Sequence, residues 1–192
     1  NEFSDAMALK ALELAFKYLP IAYKDGNNEE ARDYLHQAAT MAGLAFSNSQ
    51  LHLAHAMGHS WGAIFHTPHG NCVGLFLRYI TQYCLNKPGE PNESIQAYSN
   101  LAKKLGWVNW DLDDKKAAFM VVDKIKELQE KVDFTWNLKD LGVTKQDFEN
   151  NLDKLVSLFF QDTSGVMAFR IPNKEEVTRL YQYAYDGKDV DF

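Results

Sequence analysis

Residues 53–70 read LAHAMGHSWGAIFHTPHG and hold four of the chain's six histidines, His55, His59, His66 and His69; His52 stands just before them. The stretch reads as a helix from about Gln50 to Phe65, broken by Thr67-Pro68-His69-Gly70. On such a helix His55 and His59, four residues apart, project from one face. His69 falls in a Pro-His-Gly turn, where a chain reversal could carry it back toward that face. Imidazole is the commonest metal-ligating side chain and the usual acid or base near neutral pH. A cluster of this kind asks for either a metal or proton chemistry. The i, i+4 spacing nominates His55 and His59 as a chelating pair, as in zinc peptidases. Those enzymes carry a Glu after the first His, and here Ala56 takes its place. Metal-assisted hydrolysis therefore lacks its general base. His52 and His66 flank the cluster, and His36 reads as an ordinary, partly exposed helical residue.

Working outward, the chain reads as about eight helices joined by short loops, an all-α fold. Ser4 is a plausible N-cap for a helix striped with Leu9, Leu12, Phe16, Leu19 and Tyr23, with a kink at Pro20 and an end near Asp25-Gly26. A second helix, about Glu29 to Phe46, carries a small-residue stripe of Ala31, Ala38, Ala39, Ala42, Gly43 and Ala45. After the histidine helix, about Cys72 to Leu85 is apolar almost all round and reads as buried. Residues 87–91 form a loop, and Asn92 caps a helix that stops at Gly106. Trp107 to Asp114 connects it to a helix whose apolar side includes Val121, Ile125 and Leu128 and whose charged side is a solvated face. Thr144 with Asp147 opens one helix in the manner of a capping box, and Asn173 with Glu176 opens the last. The sequence holds no glycine-rich nucleotide fingerprint, phosphate loop or Gly-x-Ser-x-Gly elbow.

At 192 residues the chain fits a single domain with a real core, and its 46% apolar and 24% charged residues are an ordinary globular balance. A net charge of −6 and the lack of a basic cluster argue against nucleic acid as a partner. The two cysteines, Cys72 and Cys84, lie about 18 Å apart if they share one helix, too far to bridge. That usage fits a reducing, cytoplasmic setting. No apolar run approaches the roughly 20 residues that span a bilayer, and no signal-peptide pattern is present, so no membrane partner is expected. The chain opens on Asn1 without an initiator Met, which leaves both processing and a piece of a longer protein as readings.

Four segments carry a resemblance. NEFSDAMAL (1–9) resembles the Asn-Pro-x-Ser-Asp-Ala-x-Ala-Leu segment of iron-containing (group III) alcohol dehydrogenases. AGLAFSN (42–48) resembles their Ala-Gly-x-Ala-Phe-Ser-Asn segment. HAMGH (55–59) followed by PHG (68–70) resembles the family's His-x-x-x-His…Pro-His-Gly signature. RIP (170–172), ahead of a Glu-rich helix start, is similar to their Arg-x-Pro-Thr-x-x-Glu segment. The match runs in order over essentially the whole chain.

The resemblance implies a multi-helix domain of the dehydroquinate synthase-like type. Residues 1–192 would be one helical metal- and substrate-binding domain, with the N-terminal nucleotide-binding domain absent. It implies that His55 and His69 bind the metal, while His59 sits by the nicotinamide and the alcohol and relays protons. Phe46 matches a residue lining the substrate pocket. The implied cofactors are a divalent metal, iron before zinc, and NAD or NADP bound mainly by the missing half. The implied substrate is a small alcohol or aldehyde, oxidised or reduced by hydride transfer. The family's other two metal ligands, an Asp and a His, fall upstream of Asn1, so the isolated chain is expected to be nearly inactive and to expose apolar area through which a homo-oligomer could form. Gln50 and His52 replace the small glycines common before the signature; Val73-Gly74 and Leu77-Arg78 also depart from it. The alternative is a stand-alone His-rich metal-binding module without catalysis, held by His55 and His59.

Overall fold

The computed structural model describes residues 1–89 and 91–192. It contains eight α-helices and no strand among the described residues, so the all-α expectation holds. They are α1 (Glu2–Lys24), α2 (Glu29–Ser49), α3 (Leu53–Phe65), α4 (His69–Leu85), α5 (Glu93–Lys104), α6 (Asp114–Lys131), α7 (Lys145–Gln161) and α8 (Lys174–Asp186). Of the 87–91 loop, Glu90 lies outside the described residues. The backbone divides into two compact units, one of residues 1–50 and 96–134, the other of residues 51–95 and 135–192.

In the first unit α1 and α2 pack as a helical hairpin. Asn1, not Ser4, is the N-cap of α1; Ser4 is the return partner three residues on, its hydroxyl bonded back to the cap. Both residues are good caps, and the one further upstream adds a turn of helix. Buried Leu14 and Tyr18 meet Ala31 and Ala38, and Tyr18 stacks on Tyr34 at 4.3 Å. The buried residues of α2 are Ala31, Ala38 and Ala45, so the contact is a seven-residue stripe, with Ala39 left exposed. Elsewhere in the unit Ala102, Val121 and Ile125 form a core with Trp107 and Val108 against it.

In the second unit α3 is central, packed on α4 and α7. Its inner face, Leu53, Ala56, Met57 and Trp61, is fully shielded from solvent. Phe76 of α4 meets Tyr181 of α8 edge-on, and the Tyr181 hydroxyl donates to the Met57 carbonyl. Two departures from the sequence pattern bear on the site. The histidine helix starts at Leu53 with His52 as N-cap, after Gln50 at φ 69°. More importantly, α4 begins at His69 rather than Cys72. His69 is thus the first residue of a helix, not part of a turn, because Pro68 needs no N–H at a helix start.

Two contacts hold this unit in register. A methyl added to Gly58 would lie 2.9 Å from Val73 Cγ2 and 3.0 Å from the Val73 backbone nitrogen, so α3 and α4 touch there almost backbone to backbone. Arg170 donates to the carbonyls of Tyr83 and Phe192 and to Glu176, whose other oxygen accepts the Asn173 N–H of the α8 capping box. Burial pushes the Glu176 carboxyl up, but the bonds from the Asn173 N–H and Arg170 outweigh it and hold the group below its ordinary value.

Three outcomes follow for stability. Gly58→Ala should cost about 1–3 kcal/mol in urea unfolding, because the obstacle is backbone that cannot rotate away. Gly43→Ala, inside α2 with open space around its Cβ, should instead gain up to about 1 kcal/mol. Glu176→Gln should cost about 1–3 kcal/mol at neutral pH. Because the folded-state pKa of Glu176 is depressed, its contribution is present above the ordinary carboxylate range and fades as pH falls through the folded value. The gap in thermal midpoint between wild type and variant should therefore close on acidification.

Candidate functional site

The histidines gather at the close crossing of α3 and α4 in the second unit. Gly58 lies between His55 and His59 on α3, and Val73 lies one turn beyond His69 on α4. Bringing Gly58 onto Val73 brings the three imidazoles together. Ring centroids are 5.7 Å apart for His55 and His59, 5.6 Å for His55 and His69, and 5.2 Å for His59 and His69, the last pair stacked. The helical pair is therefore no closer than either pair that includes His69.

The flanking histidines part company with the three. His66 is an exposed C-cap of α3 in the left-handed region, φ 53°. His36 is exposed on α2. His52 is half-buried at the start of α3 beside Phe169, and its Nε2 is buried with no hydrogen-bond partner among the described residues. Burial, reinforced by the neighbouring His55, lowers its pKa to about 4, so it is neutral at physiological pH. Phe46 stands exposed near the end of α2, in the first unit.

Burial also lowers the pKa of His55, and the neighbouring His59 and His69 lower it further, against an opposing pull from Asp162. A neutral imidazole keeps the lone pair that a metal needs. Asp162, at the end of α7, is the carboxylate at this cluster that the sequence pattern did not reveal. Its Oδ2 lies 2.7 Å from His59 Nδ1, across 103 residues of chain. An Asp followed by Thr163 and Ser164 signals a turn, and nothing in that signal points to a histidine so far away. A pocket of about 200 Å³ opens beside the pair, lined by His59, Ser60, Ala63, Leu158, Gln161 and Asp162.

The donor set fits a divalent transition metal in kind, since neutral imidazoles suit iron and zinc. It does not enclose one: among the described residues no group of three or more His, Cys, Asp or Glu is arranged to hold a metal ion. Among the described residues no helix is long and apolar enough to cross a membrane. Cys72 and Cys84 are both buried and unpaired along α4, as their spacing requires.

Residues 1–185 match the family model for the C-terminal part of the Fe-containing alcohol dehydrogenase family. The NADPH-dependent butanol dehydrogenase of Clostridium saccharobutylicum is 31% identical over 195 residues, covering 100% of this chain and 47% of that protein. Alcohol dehydrogenase 4 of Schizosaccharomyces pombe is 32% identical, covering 96% of this chain and 40% of that protein. Among solved structures, the iron-containing alcohol dehydrogenase of Thermococcus thioreducens superposes with a TM-score of 0.83 at 32% identity, covering 98% of this chain and 45% of that one. A 1,3-propanediol oxidoreductase gives 0.85 at 26% identity, covering 96% of this chain and 46% of that one. The chain thus spans less than half the length of these relatives. By sequence match and by fold, the chain belongs to the Fe-containing alcohol dehydrogenase family and corresponds to its C-terminal, helical part.

Proposed function

We propose that this chain is the metal- and substrate-binding domain of an enzyme that moves a hydride between a small alcohol or aldehyde and NAD or NADP. The observation that carries the reading is the convergence of His55, His59 and His69 at one helix crossing in a chain of this family. His55 and His69 would hold the divalent ion, iron before zinc. Two imidazoles leave such an ion only part-coordinated, so the remaining ligands belong to the length of the relatives that this chain does not span. The same length would carry most of the NAD or NADP site.

A divalent ion held by His55 and His69 would polarise the alcohol oxygen and lower its pKa. His59 contributes the proton acceptor beside the nicotinamide, as a ring that is not tied up in ligation. Burial keeps His55 neutral and ready to ligate. A part for Phe46 in lining the substrate pocket rests on the family resemblance alone. Cytoplasmic location and self-association into a homo-oligomer belong to the same proposal.

The second reading is a stand-alone metal module chelated by His55 and His59. Their rings are as near one another as His55 and His69 are, so ring spacing leaves both pairs available. Calorimetric titration of zinc or iron(II) into the His55→Ala, His59→Ala and His69→Ala variants separates the two. The dehydrogenase reading expects more than about tenfold weaker binding without His55 or His69, and near-unchanged binding without His59. Loss through His55 and His59, with His69 indifferent, supports the module. The chain alone should oxidise alcohols poorly, with activity appearing once the remaining half of the enzyme is supplied; equal activity in both would refute the domain assignment.

A further inference from the structure

The carboxylate of Asp162 has two oxygens with two different, fixed partners. Oδ1 accepts the Ser164 N–H at 2.7 Å, which opens the 3₁₀ turn Thr163–Gly165. Oδ2 faces His59 Nδ1 at 2.7 Å. An ionised carboxylate can only accept, so the hydrogen in that contact sits on Nδ1. In the neutral ring the lone pair is then on Nε2. The contact is sheltered on one side: the Asp162 side chain is 18% exposed and that of His59 38%. Burial raises the Asp162 pKa, but the Ser164 and His59 bonds outweigh it, and the carboxyl stays ionised at neutral pH.

We propose that Asp162 is a positioning residue that locks His59 in the Nδ1–H tautomer and so presents Nε2 as the acceptor for the alcohol proton. This rests on the reading of His59 as the proton carrier. It differs from a purely structural role, in which Asp162 only caps the turn at Ser164. The two roles use different oxygens, and one substitution divides them. In Asp162→Asn the side-chain oxygen stays on the Ser164 N–H, which only an acceptor can satisfy. The amide NH2 then faces Nδ1, donor against donor. The ring must shift its hydrogen to Nε2, with the turn left intact.

The test is nitrogen-15 NMR of the histidine-labelled chain at a pH above the imidazole range. Wild type should show His59 with Nδ1 protonated and Nε2 bare. Asp162→Asn should show the reverse, with the Ser164 amide resonance unmoved. In the enzyme completed with its nucleotide-binding half, the same substitution should lower turnover about 100-fold or more with little change in KM. Asp162→Glu should recover part of both signals. A wild-type His59 with its hydrogen on Nε2, or divided between both nitrogens, would overturn the proposal before any variant is made. An inverted tautomer with unchanged turnover would instead uphold the hold of Asp162 on the ring and refute His59 as proton carrier.

Discussion

At Gly58 the backbones of α3 and α4 come within contact distance, and Val73 leaves no room for so much as a methyl group. That crossing depends on the smallest side chain standing in the middle of a helix that is otherwise buried by Leu53, Met57 and Trp61. Glycine is a poor helix former, weaker than alanine by about 1 kcal/mol, so its place in α3 is offset by the close packing it permits. The three imidazoles flank this point: His55 and His59 on either side of Gly58, His69 one turn before Val73. The crossing is what brings the backbones that carry them together.

Three imidazoles within 6 Å of one another cannot all be charged without strong repulsion, and burial adds to the cost for His55. Burial and its two imidazole neighbours lower the pKa of His55, which suits that ring to ligation. Asp162 enters from α7 as an anion aimed at one ring, His59, and among the described residues the other two have no carboxylate contact of that kind. This asymmetry agrees with dividing the cluster into two ligands and one proton-handling ring. It also supplies a physical reason why neighbours on one helix face need not act together.

Much of the fold was legible from periodicity and caps. Asn173 with Glu176 opens α8 as expected and does so through a full capping box, while Thr144 caps α7 through the Asp147 N–H. The segment resembling Arg-x-Pro…Glu acquires its reason in three dimensions, where Arg170 reaches Glu176 and two backbone carbonyls. The approach of His69 to His55 and His59 was legible but its place at the start of a helix was not, because Pro-His-Gly carries a strong turn signal and a proline also suits a helix start. Gly58 and Asp162 were not legible at all. A glycine in a helix gives no sign of what packs against it, and the Asp162–His59 contact spans 103 residues with no shared pattern.

The central assignment is the splitting of the i, i+4 pair, with His55 joined to His69 and His59 left out. The most direct measurement is anomalous diffraction at the iron or zinc edge from metal-loaded crystals of the enzyme that contains this domain. Anomalous density bridging His55 and His69, with His59 turned to Asp162 and outside bonding distance, is the expected result. Density centred between His55 and His59, with His69 unattached, would contradict it.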